Sequence, residues 1–229
     1  MKVVLLAGGF GTRLSEYTKT IPKPMVRVNN KPIILHIMEH FAKYGHKVFY
    51  IALGYKGEVI RNFFNKKFYD WEINLLDTGK STMTGGRLKK IGKLINAETF
   101  FMTYGDGLSN VNLNKLLKFH KKNKKLVTLT AVRPPARFGS LQIEGKIVRR
   151  FKEKSKTDEN WINGGFFVMQ KKFLKFIKND QTVLEKKPLE QVAKLKQLVA
   201  YKHEGFWQCM DTKKDRDLLE KILIKKKKF

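Results

Sequence analysis

The residues best suited to chemistry lie within the first 25 positions of the chain. An apolar run that begins at Val3 ends in Gly-Gly-Phe-Gly, which is followed by Arg13 and, between two prolines, by Lys23. Closely spaced glycines let the backbone turn sharply and direct several N–H groups at one anion. Arginine and lysine side chains both pair with phosphate oxygens. The pattern therefore indicates a phosphate-binding loop, although an ordinary glycine turn after a strand would contain the same glycines.

The two best-known phosphate-binding motifs do not account for this loop. A dinucleotide fingerprint needs a third glycine at a fixed spacing after Gly11, and none is present. A P-loop needs Gly-Lys-Ser or Gly-Lys-Thr, which is also missing. The loop is therefore a phosphate-binding candidate of a different class.

Two aspartates further along the chain are candidate metal ligands. Asp106 stands between Gly105 and Gly107 directly after an apolar stretch, and Asp211 follows Trp207-Gln208-Cys209-Met210. Taken singly, Asp106 fits a turn and Asp211 fits a helix cap. Taken together, two carboxylates suit Mg²⁺, which binds one or two protein carboxylates plus phosphate oxygens. The motif at each aspartate is thus compatible with a structural role or with a metal site.

Strands that alternate with helices must position these motifs. Short apolar runs that stop at glycine predict buried strands, and apolar residues at helical spacing between them predict helices. The principal predicted strands are 3–7, 48–53, 71–76, 99–104, 126–133, 163–169 and 198–201, and the predicted helices are 32–42, 58–68, 114–122, 171–178 and 188–195. The glycine-rich loop 77–87 opens a further predicted helix that runs to about 96, and Thr212 with Asp215 resembles a capping box for the last helix. Such alternation predicts an α/β fold, a Rossmann-like, mainly parallel mixed sheet with helices on both faces. Ligands bind at the carboxyl ends of strands in such sheets, where the motifs fall.

Length and composition predict one folded domain. The chain has 229 residues, of which 42% are hydrophobic, and no apolar run approaches the length of a membrane span. We expect a smaller mixed-strand part around 134–170, with a hairpin turned at Glu144-Gly145, and a basic tail at 225–229. The chain starts in its first strand, which predicts no signal peptide, and its one cysteine, Cys209, fits a cytoplasmic location.

The net charge of +28 raises the alternative of a nucleic-acid-binding protein. Only nine of the 48 basic residues are arginine, and the lysines are scattered apart from clusters at 121–125 and 225–228. Nucleic-acid readers usually favour arginine. We therefore interpret the charge mainly as a lysine-rich surface that attracts polyanionic substrates, and expect no specific nucleic acid and no membrane as a partner.

Several motifs together resemble one enzyme family. The string Leu-Ala-Gly-Gly-x-Gly-Thr-Arg-Leu, with Pro-Lys-Pro-Met after it, resembles the sugar-1-phosphate nucleotidyltransferases. The segments 77–88, 103–107, 163–168 and 205–212 are similar to the members of that family that transfer a cytidylyl group to glucose 1-phosphate. The resemblance extends over nearly the whole chain, and implies a fold of the nucleotide-diphospho-sugar transferase type, CTP and glucose 1-phosphate as substrates, Mg²⁺ as cofactor and a possible homo-oligomer.

The resemblance also implies roles for individual residues. The nucleotide would contact the first loop, Lys23 and the segment around 82–87. The catalytic residues would be Arg13, Lys23 and Asp106, and Asp106 and Asp211 would bind Mg²⁺. The full set implied for the nucleotide is Leu6, Ala7, Gly8, Gly9, Gly11, Thr12, Arg13, Lys23, Thr82, Arg87 and Gly105, and that for the sugar phosphate is Glu153, Lys154, Asn163 and Gly164.

Two features depart from the family pattern. The bridge from Phe64 to Leu76 is shorter than is usual in the family, and Ser155 follows the Glu-Lys pair where the family has proline. Three alternatives stay open at this point: a thymidylyl- or uridylyltransferase acting on another sugar 1-phosphate, a nucleic-acid-binding protein, and a catalytically silent subunit. The retained Arg13, Lys23, Asp106 and Asp211 argue against the silent subunit.

Overall fold

A seven-stranded sheet carries the site. The structure, a computed structural model, describes residues 1–65, 70–134, 139–152 and 161–225. The described strands are β1 (Lys2–Leu6), β2 (Arg27–Val28), β3 (Lys31–Pro32), β4 (Val48–Leu53), β5 (Glu72–Asp77), β6 (Thr99–Tyr104), β7 (Gly107–Ser109), β8 (Val127–Val132), β9 (Ser140–Glu144), β10 (Ile147–Lys152), β11 (Ile162–Gln170), β12 (Leu198–His203) and β13 (Trp207–Cys209). The large sheet has the order β12-β8-β11-β6-β1-β4-β5.

One strand of the large sheet runs against the others. β11 pairs antiparallel with β6 on one side and with β8 on the other, whereas the remaining pairs are parallel. The start of β11 therefore lies at the same edge of the sheet as the ends of β1 and β6. This arrangement brings Asn163 and Gly164 to the edge where Gly8 and Asp106 emerge.

Helices cover both faces of the sheet. The described helices are α1 (Ser15–Thr18), α2 (Ile33–Lys43), α3 (Gly57–Phe64), α4 (Thr84–Leu94), α5 (Leu113–Asn123), α6 (Lys187–Lys194) and α7 (Lys213–Lys225), with 3₁₀ turns at Thr12–Leu14, Lys23–Met25 and Lys171–Phe176. Alternate residues of β1 separate into two hydrophobic cores: Val3 and Leu5 pack with α2, and Val4 and Leu6 pack with α4. This confirms the predicted two-faced α/β sheet.

Most predicted elements are confirmed, with small shifts at their ends. The segment after β11 is an exception, because residues 171–176 form 3₁₀ turns where a helix over 171–178 was predicted. The predicted hairpin is present as β9 and β10, and the predicted capping box is present at the start of α7, where Asp215 accepts from the Thr212 N–H at 2.8 Å. Within the described residues, no helix is long and apolar enough to cross a membrane.

Candidate active site

The glycine loop folds back on itself after β1. Gly11 has a φ of +65°, a conformation that favours glycine, and a Cβ there would lie 2.9 Å from the Thr18 side chain and 3.0 Å from Lys23 Cβ. The Thr18 hydroxyl donates to Gly11 O at 3.1 Å. Glycine is therefore required at Gly11 both by its backbone angle and by the close approach of Lys23.

The buried Arg87 side chain supports the other side of this loop. Its guanidinium donates to Leu53 O and Gly8 O, both at 2.9 Å, and to the Thr78 hydroxyl at 2.6 Å. A Cβ at Gly8 would lie 2.2 Å from Arg87 Nη1. Burial lowers the pKa of Arg87, but an arginine side chain stays protonated in proteins. The Arg87 cation thus ties the glycine loop to β4 through backbone carbonyls.

Lys23 lies at the centre of a cluster of charges. Its Nζ is 2.6 Å from Asp106 Oδ2 and 2.7 Å from Asp211 Oδ1, and only 12% of its side chain is exposed. Arg13 Nη1 is 2.9 Å from the second oxygen of Asp211. Arg13 and Asp211 are therefore in direct contact, although they lie 198 positions apart in the sequence.

The charges of this cluster set its pKa values. Burial alone would lower the pKa of Lys23, but Asp106 and Asp211 outweigh it and raise the pKa. Burial alone would raise the pKa of Asp211, but the hydrogen bond from Lys23 and the charge of Arg13 lower it. Burial, together with Asp211 and Asp106, raises the pKa of Cys209 to about 12, so this thiol is neutral. The cluster consequently keeps Lys23 and Asp211 charged at neutral pH.

Two cavities meet at this cluster. The larger, of about 600 Å³, is lined by the glycine loop, by residues 80–84 and by Lys23. All residues predicted to bind the nucleotide line it: Leu6, Ala7, Gly8, Gly9, Gly11, Thr12, Arg13, Lys23, Thr82, Arg87 and Gly105. Thr82 is nevertheless buried, and its hydroxyl donates to Thr78 O at 2.6 Å.

The smaller cavity, of about 320 Å³, contains the residues predicted for the sugar phosphate on β11. Asn163, Gly164 and Asp211 line it, and Arg13 and Asp106 line both this cavity and the larger one. Trp207 Nε1 donates to Gly164 O at 2.7 Å, which fixes the indole in the wall. Glu153 and Lys154, also predicted for the sugar phosphate, lie outside the described residues, as do 226–229 of the basic tail and parts of 134–170.

Two residues that line the cavities were not predicted from the sequence. Gln181 lines the larger cavity, and Tyr104 lines both cavities. The signal for Tyr104 was its position directly before Gly105-Asp106. Gln181 lies in a polar loop after the 3₁₀ turns, and no local pattern separates it from an ordinary surface loop.

Comparison with known proteins agrees with this geometry. Residues 2–220 match the family model described as "Nucleotidyl transferase". The chain is 44% identical over 250 residues to the glucose-1-phosphate cytidylyltransferase of Salmonella typhi, with 99% of this chain and 97% of that protein covered. It is 39% identical to the probable glucose-1-phosphate cytidylyltransferase of Bacillus subtilis, with 94% and 93% covered.

A solved structure agrees at the level of the fold and of the sequence. HddC from Yersinia pseudotuberculosis superimposes with a TM-score of 0.77 at 25% identity, over 97% of this chain and 99% of that one. The family model, the two relatives and this structure each cover nearly the whole chain. The chain therefore belongs to the nucleotidyl transferase family.

Proposed function

We propose that this chain transfers a cytidylyl group from CTP to α-D-glucose 1-phosphate, which yields CDP-glucose and pyrophosphate. The observation that carries the proposal is the 44% identity, over nearly the full length of both chains, to a glucose-1-phosphate cytidylyltransferase. The two adjoining cavities support it, because a nucleotide and a sugar phosphate need neighbouring sites that share one set of charges.

The reaction is a displacement at phosphorus. A phosphate oxygen of glucose 1-phosphate attacks the α-phosphorus of CTP, the α–β phosphoanhydride bond breaks, and pyrophosphate carries away the electron pair. No protein nucleophile is required. The protein must hold two polyanions in line against their mutual repulsion and stabilise the charge on the transferred group.

The described residues supply these functions from fixed positions. N–H groups of the glycine loop and the exposed Arg13 fork would bind the triphosphate. Lys23, held on a 3₁₀ turn between prolines, would place its ammonium next to the α-phosphate. The Arg87 cation would contribute indirectly, because it donates to Gly8 O and so holds the glycine loop in place.

Asp106 and Asp211 would hold Mg²⁺. Both carboxylates converge within 2.7 Å of one cationic nitrogen, which fits a donor set that binds a small hard cation. Within the described parts of the chain, no third His, Cys, Asp or Glu completes a metal site with them, and Mg²⁺ commonly takes its remaining ligands from phosphates and water. When bound, the ion would supply positive charge to the triphosphate oxygens.

The choice of base should fall to the loop at 80–84. Thr82 already donates its hydroxyl to Thr78 O, so we assign the reading of the base edge to other groups of this loop, its backbone N–H and C=O groups among them. Cytosine offers an amino donor where uracil offers a carbonyl acceptor. The wrong base would leave a buried polar group unpaired, at a cost of about 1–3 kcal/mol.

Pyrophosphate release from a grid of nucleotides and sugar phosphates tests this function. With glucose 1-phosphate and Mg²⁺, we expect CTP to exceed UTP and dTTP in kcat/KM by about 10- to 100-fold, since about 1.4 kcal/mol corresponds to a factor of ten. Equal or faster release with UTP or dTTP would replace cytidylyl transfer by uridylyl or thymidylyl transfer. No release with any pair would overturn nucleotidyl transfer itself.

The remaining expectations about this chain are proposals. We treat residues 1–229 as one catalytic domain whose mixed-strand part around 134–170 contributes to the sugar site, and Glu153 and Lys154 as sugar-phosphate ligands. A homo-oligomer, a cytoplasmic location and the lack of a specific nucleic-acid partner are proposals of the same kind.

A further inference from the structure

The segment 177–186 packs onto the start of α4, next to the larger cavity. Met83 N donates to Asp180 O at 2.8 Å, and Gly85 N donates to Thr182 O at 2.9 Å. These carbonyls satisfy N–H groups that the first turn of a helix leaves free. Carbonyls of segment 177–186 therefore pair with the N–H groups at the start of α4. The same contacts hold the loop at 80–84 in place.

The approach of the two segments is too close for side chains. A Cβ at Gly85 would lie 2.6 Å from Thr182 O, and a Cβ at Gly86 would lie 2.6 Å from Asp180 Cα. Lys90, one turn further along α4, adds an ion pair of 2.6 Å to Asp180. The position of segment 177–186 relative to α4 is thus fixed by backbone contacts and by charge.

One carboxylate in this segment joins both sides of the site. Glu185 Oε2 accepts from the Thr84 hydroxyl at 2.7 Å, and Glu185 Oε1 accepts from the Tyr104 hydroxyl. The Thr84 hydroxyl in turn accepts from Leu184 N at 2.9 Å. Burial raises the pKa of Tyr104 well above its ordinary value, and Glu185 adds to this, so the phenol remains a donor.

The two hydroxyls belong to different parts of the site. Thr84 lines the larger cavity and is the last residue of the loop proposed to read the base. Tyr104 lines both cavities and ends the strand that leads to Asp106. The Glu185 side chain, which comes from a separate loop, therefore links the part of the site proposed to bind the base to the part that contains the charge cluster.

We propose that Glu185 is a positioning residue, which fixes the base-reading loop relative to Tyr104 and so aligns the nucleotide with the attacking sugar phosphate. The inference rests on the proposed transferase function. Glu185 touches no reacting group and acts through Thr84 and Tyr104. Because misplacement by about 1 Å costs on the order of 100-fold in rate, loss of this link should appear in kcat.

Steady-state kinetics of Glu185→Ala and Glu185→Gln test this inference, with Glu190→Ala as the matched control. Glu190 is an exposed glutamate in the next helix, α6. We expect Glu185→Ala to lower kcat by about 10- to 100-fold, with the KM for glucose 1-phosphate changed less than about threefold. Glutamine can accept from one hydroxyl and donate to the other, so Glu185→Gln should keep kcat within about fivefold of wild type.

The kinetics of the two Glu185 variants either support or overturn the positioning role. The expected pattern, with melting temperatures like that of Glu190→Ala, supports positioning by Glu185. An unchanged kcat in Glu185→Ala, or a loss in Glu185→Gln as large as in Glu185→Ala, overturns it. The variants are assayed with whichever nucleotide the wild type uses best, so a wrong base assignment leaves this test intact, and a wild type inactive with every pair overturns the proposed function instead.

Discussion

The charge cluster around Lys23 concentrates, in one place, the residues that the proposed reaction depends on. Asp106 and Asp211 contact its ammonium directly, and Arg13 contacts Asp211. The pKa directions of Lys23 and Asp211 oppose the effect of burial, which is typical of groups that a protein keeps charged in a cleft.

Asp106→Asn should abolish most activity and leave the fold intact. Its side chain is 30% exposed, so an isosteric amide fits the space. Loss of one preorganised carboxylate should cost roughly 2–4 kcal/mol of transition-state stabilisation, which is about 30- to 900-fold in kcat. Turnover and calorimetric binding of Mn²⁺ in the presence of nucleotide are measured together. Near-full turnover at saturating Mg²⁺ would rule out Asp106 as a metal ligand.

Lys23→Ala should lower kcat more than it raises the KM for CTP. Charge rearranges at the α-phosphorus during transfer, so a cation placed there helps the transition state more than the ground state. Lys31→Ala is a suitable control, because Lys31 forms a comparable ion pair with Glu39, at 2.7 Å, on α2. If Lys23→Ala changes only KM, Lys23 is a general binding cation.

The sequence identified the residues of this cluster because each sits in a compact motif. Glycines flank Asp106, prolines flank Lys23, and an aromatic motif precedes Asp211. Sequence did not reveal the role of Glu185, because its partners lie 101 and 81 positions away, in other segments. Sequence placed Arg87 at the nucleotide, which stays a prediction, and the residue lines the larger cavity; its bonds to backbone carbonyls, however, depend on the path of β4.

Among the contacts between elements, the one between α4 and segment 177–186 depends on glycine, because side chains at Gly85 and Gly86 would keep the two backbones apart. Two backbone carbonyls, of Thr182 and Asp180, occupy the space that side chains at Gly85 and Gly86 would need. Such close backbone packing has no signature in the sequence other than the glycines themselves.

Gly86→Ala should destabilise the protein by about 1–2 kcal/mol. Alanine is the better helix former by about 1 kcal/mol, but its Cβ would meet two backbone atoms of Asp180, and relief of such a clash should fall in the upper part of the range of about 1–3 kcal/mol, at about 2–3 kcal/mol. Gly9→Ala serves as the control, because no atom in the described parts of the chain lies within 4 Å of a Cβ there. Urea unfolding measures both, and an unchanged or higher stability of Gly86→Ala would show that the segment moves away freely.

The direction and pairing of the strands could be predicted from the sequence only in part. Apolar runs predicted the parallel strands and the glycine-led strand at 163–169, and these are confirmed. The direction of β11, however, depends on which strands it pairs with, and no local pattern carries that information. The helix predicted over 171–178 was wrong, since residues 171–176 form 3₁₀ turns that lead directly away from the end of β11.

At the scale of the whole molecule, the charge of +28 is expected to be incidental to function. The proposed substrates are polyanions, and a positive field raises their local concentration without a dedicated nucleic-acid surface. We predict weak binding to duplex DNA that falls steeply with salt, shows no sequence preference and disappears near physiological ionic strength. Fluorescence anisotropy with DNA duplexes of different sequence measures this, and nanomolar, salt-tolerant binding to one sequence would restore the nucleic-acid alternative.

The antiparallel course of β11 has a consequence for how the chain assembles during synthesis. Strands β5, β4, β1 and β6 come from residues 2–104, but β6 cannot be joined to β8 until β11, residues 162–170, has been made. Until then the growing chain carries an open strand edge on each side of the gap, which is the kind of edge that pairs with the wrong neighbour. Closure of the sheet also creates the sugar side of the active site, because Asn163 and Gly164 belong to the closing strand. Residues up to Asp106 supply all of the nucleotide cavity except Gln181 and the segment that holds the loop at 80–84, whereas the second substrate has no place to bind until the last central strand is inserted.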